Sequence, residues 1–484
     1  MKTNILYKSV IFCAMSTALL YMSQSCQKHY DMVPPPVIQE DDDLDDEIIG
    51  TPEDYFVTLY GDGEMDGSSW ENALDADGLI DLLTGTSDLS KCYIHVCEGT
   101  YYLSSASNTS LTLKKNVAGI FGGYSSLSEG TDTGNRNTAK YPTVFSGDLN
   151  GDGTANEGDC GLMTVNAGHV KIDGITFEHG YITETAASAM KNGSGFFVDG
   201  DAATTILELS DCIVRECISG ATTSNYAGGA VAVIMAGQIR MRDVLLIGNE
   251  SNNRGGAIRC CEDGSILMLD RCLVKGNYLK DLWGHAIQMS GGNLCMNNCT
   301  IYDNTSGRTG AQINGGGSML IINSTVVGVP GDNWGAIRCE SYKGSTTRFI
   351  NNVLFSQTGS GYGFYLNGNN EAASFGFNVY DKVNAVQMLA SDKQYTDGFD
   401  TLCSYSDEEN VFVWIPSDAD ITTYATADQV IEAVTGFNPQ KCPVVNLGSV
   451  FADWCTSDGF SVDARGSARN PGKLQPGAYD ACLQ

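Results

Sequence analysis

The sequence predicts an all-β fold: a single-stranded right-handed parallel β-helix with a short N-terminal capping helix and an irregular C-terminal cap. Three observations predict it. A strand-and-turn unit returns about every 26–32 residues, a Gly-Ala motif returns with nearly the same period, and the 484-residue chain is rich in Gly (56) and poor in Pro (11). A solenoid grows in one dimension and stays one domain at any length, so the length does not force a multidomain chain. Abundant Gly suits many short strands joined by tight turns.

The unit is a short apolar run, a polar pair, a second apolar run and a Gly-rich turn. It is seen at Leu209–Val214, Met241–Leu246, Leu269–Val274, Met296–Ile301, Ile322–Val327 and Ile350–Phe355. The residue after the polar pair is Cys212, Val244, Cys272, Cys299, Thr325 and Val353 in turn, in steps of 32, 28, 27, 26 and 28. The second motif ends at Ala230, Ala257, Ala286, Ala311 and Ala336, in steps of 27, 29, 25 and 25. Short runs with period-two alternation are strands. A propeller blade needs 40 or so residues, so units of this length fit coils of two or three strands. Gly and Asn suit the left-handed backbone at the coil corners. Cys212, Cys272 and Cys299 share one coil position, and Cys260 and Cys339 share another, so the thiols are expected to form interior ladders. A disulfide framework is the competing reading for an exported chain.

Lys2 and Lys8, the apolar run 10–20 and the small residues before Cys26 read as an export leader. The stretch resembles a lipoprotein signal, with Ser23 where Leu is usual. The expected divisions are a signal peptide (1–25), an acidic, Pro-rich tether (26–52), the β-helix with its N-terminal cap (53–382), and final irregular coils with a C-terminal cap (383–484). The tether carries Pro34–Pro36 and an acidic run at 40–47, which suit a solvated spacer. A formal net charge of −30 argues against nucleic-acid binding, which needs a basic footprint. A short helix is predicted over Leu74–Leu83, closed by Gly85, and a second over 426–434 with Gly436 behind it.

Several strings carry a wider resemblance. They are Asp66-Gly-Ser-Ser-Trp70, Ile94-His-Val-Cys-Glu-Gly-Thr-Tyr-Tyr102, Val117-Ala-Gly-Ile-Phe-Gly-Gly-Tyr124, Val144-Phe-Ser-Gly-Asp148, Val462-Asp-Ala-Arg465 and Gly477-Ala-Tyr-Asp480. In this order, over about 55–480, the chain resembles pectin-lyase-like right-handed β-helix proteins of bacterial surfaces, including those with polymorphic-outer-membrane-protein-type repeats. The resemblance implies either a surface scaffold or an enzyme on acidic polysaccharides. Lyases of that kind use calcium and an Arg or Lys base, and hydrolases use paired carboxylates.

Weak catalytic candidates are Arg259, Arg338, Asp243, Asp270 and His285, with Arg271 beside them; the partner motifs of the hydrolases are absent. Asp148, Asn150, Asp152, Thr154 and Asp159 match the ligand spacing of a calcium loop, with Asp at the last position instead of Glu. A plain Asp/Asn/Gly turn is the alternative. Trp283 and Trp334 hold similar coil positions and would make a glycan-stacking platform or cover a turn. The expected protein is a monomeric outer-membrane lipoprotein, lipidated at Cys26 and exposed at the cell surface. Its partners would be glycans or a host or neighbouring cell surface, and calcium its one candidate cofactor. Adhesion or glycan binding without catalysis is the leading function, a polysaccharide lyase or glycoside hydrolase the alternative.

Overall fold

The computed structural model describes residues 53–478, apart from 184–192, 221–230, 253, 281–285, 307–312, 316, 329–334, 340–345, 357–360, 367–370, 397–398, 407–410, 415–422, 456–459 and 461. Within it the repeat closes into coils. A representative coil runs through strands Ile258–Cys260, Ile266–Asp270 and Leu273–Lys275, then a two-residue strand Tyr278–Leu279. Each pairs in parallel with its counterpart one coil later, for example Ile258 with Ile287, Leu267 with Leu294, Val274 with Ile301 and Leu279 with Ser306. The same four positions generate a first face, a second face, a third face of eleven strands, and a short five-strand fourth face. The first two merge into one sheet of twenty strands because Met163–Asp173 passes through both. This is a right-handed parallel β-helix, wound in the hand that parallel crossovers adopt.

The corners explain the polar pairs. Gly174, Asp211, Asp243, Arg271, Asn298, Asn323 and Asn351, between the second and third faces, all have positive φ, from 47° to 69°. Asn and Asp tolerate that conformation; Arg271 does so at a strain of about 1–2 kcal/mol. The next corner carries a buried amide ladder. Asn249 Nδ2 donates to Asn277 Oδ1 at 2.9 Å, and Asn277 Nδ2 donates to Asn304 Oδ1 at 2.8 Å. The Gly-Ala motif has a matching cause. Ala336 N–H donates to the Tyr362 carbonyl of the next coil at 2.7 Å, and a Cβ on Gly335 would lie 2.0 Å from that oxygen.

Inward side chains form one core. Cys212, Cys272 and Cys299 lie in it, as do Cys260 and Cys339, and the described cysteines from Cys92 to Cys455 are all free thiols. The interior-ladder expectation therefore describes these coils. Expected alternation fails on the second face, where Ile266–Asp270, Asn293–Asn297 and Ser318–Ile322 are buried at every position. Their outward residues meet a second core.

Helix α1 (Ala76–Thr84) supplies the N-terminal cover: Leu79 and Leu83 enter the main core, and the Asp75 side chain accepts from Gly78 N at 2.7 Å. Gly85 ends α1 as expected, but at φ −64° instead of a left-handed φ; a Cβ there would lie 2.7 Å from Asp81 O. The coil stack continues to the last strand, Lys393–Gln394. Helices α2 (Ala427–Thr435) and α3 (Leu447–Cys455) then lie against the outward side of the second face. Val430, Val434, Phe437 and Phe451 pack there with Met268, Cys295 and Leu320. The antiparallel pair Cys403–Ser406 and Val411–Trp414 belongs to a cluster on the third face, where Phe399 and Phe412 join Val327, Val353 and Phe355. So the final segment covers flanks of the stack.

Candidate functional site

The sequence-derived residues fall on separate ladders. Arg259 and Arg338 occupy one outward row on the first face, in the register Val233–Arg259–Gln288–Asn314–Arg338–Tyr365. Their neighbours Ile258, Cys260, Ile337 and Cys339 point into the core. Three rungs of about 4.8 Å separate the two arginines. Both are only 3 % exposed despite facing outward.

Asp243, Asp270 and Arg271 sit elsewhere, at the corner between the second and third faces. Arg271 grips Asp243 with Nε and Nη2 at 2.7 and 2.6 Å and reaches Asp270 through Nη1 at 3.0 Å. Such bidentate, charge-assisted bonds are the strong ones, and here they offset the strain of a left-handed Arg. Asp270 is wholly buried. Burial pushes its carboxyl up to about 6, against the pull of Arg271, Asn297 and Arg242. From it an amide chain climbs the corner: Asn297 donates to Asp270 at 2.8 Å, Asn323 to Asn297 at 3.0 Å, and Asn351 to Asn323 at 2.8 Å. The C-terminal segment clamps this seam. Arg242 stacks on Trp454, 4.7 Å from the ring centre, and donates to its carbonyl. Arg469 donates to Asn298 at 2.9 Å. The seam is built to hold coils together.

In the Asp148–Asp159 loop, all six carboxylate oxygens already accept hydrogen bonds. Asp148 takes the amides of Gly151, Asp152 and Gly153 at 2.8–3.2 Å. Asp159 takes those of Leu149 and Asn156 at 3.0 and 2.8 Å, and Asp152 takes the amide and hydroxyl of Thr154 and the side-chain amide of Asn156. Asn150 accepts from Asp152 N–H. Among the described residues no group of three or more His, Cys, Asp or Glu is placed to hold a metal ion. Calcium there would have to compete with those donors. His285, Trp283, Trp334 and Cys26 lie outside the described residues.

A feature not read from the sequence is a hollow of about 1090 Å³ beside α1. One wall is α1, with Asp77 and Asp81; the other is the first coil, with Tyr102, Ser104 and Thr112; Tyr60 stands at its edge. Tyr60 is 83 % exposed and Tyr102 43 %. Tyr60 and Leu59 also border a second hollow of about 770 Å³. The elements explain the placement. Asp77 and Asp81 are four apart on α1 and so share a face, and Tyr101 turns inward while Tyr102, next along the strand Gly99–Tyr102, turns outward. Nothing in the repeat signals this, because the strand begins fifteen residues after α1 ends and a separate strand intervenes.

No family model matches this chain, and no curated protein matches it. Among solved structures, pectate lyase Pel9A is similar at 14 % identity with a TM-score of 0.44, over 90 % of this chain and 97 % of that one. A pectin methylesterase from Aspergillus niger is similar at 12 % identity with a TM-score of 0.28, over 72 % of this chain and 92 % of that one. The same esterase in deglycosylated form gives 14 % identity and a TM-score of 0.27, over 66 % and 85 %. At these scores the strand register, and not the likeness, carries the fold assignment.

Proposed function

We propose that this protein is a non-catalytic glycan-binding scaffold, carried at the cell surface by a lipid on Cys26. The observation that carries the glycan part is the hollow beside α1. It combines two solvent-facing tyrosine rings with hydroxyl and carboxylate side chains, the mix that stacks on sugar faces and bonds their hydroxyls. The absence of catalysis is supported by the separation of the candidates. Asp243, Asp270 and Arg271 are consumed in the corner seam, and Arg259 and Arg338 lie on another face. The leader-like residues 2–26 support the anchor.

The test is a calorimetric screen of the full chain, in mild detergent, against neutral, amino-bearing and uronate-bearing oligosaccharides, with unsaturated-end release followed in parallel. Binding without cleavage, weakened by Tyr60→Ala and Tyr102→Ala, is the expected result. Cleavage that vanishes in Arg259→Ala or Arg338→Ala would overturn the non-catalytic part. Radiolabelled fatty acid that fails to enter the chain, or enters equally in Cys26→Ser, would overturn the anchor.

A further inference from the structure

Resting on the glycan-binding reading, we propose that the hollow beside α1 selects an oligosaccharide bearing free, protonated amino groups, and rejects uronates. The first support is charge. Asp77 and Asp81 line the hollow, both exposed, and its lining contains no Lys, Arg or His. Among the described residues neither carboxylate is held in a hydrogen bond or ion pair, so both remain available to a ligand. Lys115, at the end of the same helix, is committed to the carbonyls of Leu82, Gly85 and Ser87 at 3.3, 2.5 and 3.2 Å. The adjoining hollow is acidic as well, lined by Asp62, Glu71, Glu98 and Glu129. A uronate entering here would meet like charge along the α1 wall and in the adjoining hollow.

The second support is where the acids stand on their helix. Two like charges four residues apart oppose helix formation, and Asp81 lies in the C-terminal half of α1, where the helix dipole disfavours an anion. No basic residue occupies the last turn to compensate. Asp81 therefore does nothing for the helix that carries it, unlike Asp75, which caps the first turn, and Asp77, which stands within that turn where the dipole favours an anion.

The third support is the pair of tyrosines. Rings of Tyr60 and Tyr102 offer π-faces that attract an ammonium as well as a sugar face. Thr112 adds a hydroxyl suited to a polyhydroxylated ligand, while those of Ser104 and Ser110 are bonded to Thr109 and Thr164. This mixture favours an amino sugar over a basic peptide, whose side chains present no ring of hydroxyls. The chain's own acidic run at 40–47 has the wrong sign to fill the hollow.

The experiment titrates the full chain, in mild detergent at slightly acid pH, with four probes of equal length. They are a glucosamine oligomer, its N-acetylated counterpart, an oligogalacturonate and an oligolysine. The glucosamine oligomer is expected to bind about tenfold more tightly than the acetylated one. That advantage should disappear in Asp77→Asn/Asp81→Asn and shrink when salt is raised past the range where exposed charges are screened. Tyr60→Ala should weaken both sugars. Equal binding of the two sugars, or tight binding of the oligogalacturonate, overturns this selectivity and leaves the glycan-binding reading standing. Oligolysine bound as tightly as the amino sugar overturns it in favour of a basic peptide. No binding to any of the three sugars overturns both. Thermal melts of the variants exclude loss of folding as the cause.

Discussion

The corner seam under α3 and the hollow beside α1 use the same side chains in opposite ways. In the seam, Asp243 and Asp270 are paired with Arg271 and Arg242, the amides of Asn297, Asn323 and Asn351 pass hydrogen bonds from coil to coil, and Trp454 covers the guanidinium of Arg242. In the hollow, Asp77 and Asp81 face solvent without a cation, and Tyr60 and Tyr102 stand exposed. The difference follows from cover. Outward polar groups that the final segment buries must be paired, since an unpaired buried polar group costs about 1–3 kcal/mol. Outward groups left in water are under no such demand. Chemistry-bearing residues in the coils are therefore poor guides to function here, and those at the open end are better ones.

The sharpest break in the covered region is expected from the buried amide ladder. Asn277 accepts from Asn249 and donates to Asn304 and to the Leu246 carbonyl at 2.9 Å. Asn277→Ala strands partners on both neighbouring coils, and the expected loss is about 3 kcal/mol. Chemical denaturation checks it. An unchanged midpoint would mean that core packing alone holds these coils.

Asp270 comes next, and its effect depends on pH. Its carboxyl is raised from 3.8 to about 6 in the folded chain. Between those values the folded state binds the proton and the unfolded state does not, so stability falls as pH rises through that window and is level above it. The full difference is about 3 kcal/mol. Asp270→Asn extends the asparagine chain and removes the titrating group. Its stability should be flat across the window where the parent's declines, and denaturation midpoints measured at several pH values decide this.

The Asp148–Asp159 loop predicts a smaller loss. Asp148 holds three amides of its own turn, so Asp148→Ala should cost about 1–2 kcal/mol with or without calcium. Melts in calcium and in chelator distinguish the two accounts of this loop. A loss seen only with calcium would assign Asp148 to the cation.

Much of the fold was legible. Cys212, Cys272 and Cys299 marked one interior position, the Gly-Ala motif marked the close approach of successive coils, and Thr426 and Gly436 bracketed α2 as its N-cap and C-cap. α3 was missed because Gly448 and Val450 weaken its helical pattern. Its presence was nevertheless signalled from elsewhere. Strands such as Ser318–Ile322 are apolar at nearly every position, which marks burial on both sides and so requires a covering layer. The candidate site was less legible. Periodicity showed that Arg259 and Arg338 recur, and register confirms one row, but recurrence says nothing about which outward groups another segment will bury. The hollow depends on the packing of α1 against the first coil, a contact that no local pattern encodes.

The smallest expected effect separates structure from function most cleanly. Asp81 opposes the dipole of α1 and repels Asp77 one turn away. If its role is to meet a ligand, Asp81→Asn should leave stability unchanged or raise it by about 0.2–0.5 kcal/mol while binding weakens. Asp75→Ala makes the counterpart, because it removes the bond to Gly78 N and should cost about 1 kcal/mol. A thermal melt of both variants reads the contrast. Loss of stability in Asp81→Asn comparable to that in Asp75→Ala would make Asp81 a structural residue like those of the seam, and the distinction between the covered flank and the open end would fail at the site where it matters most.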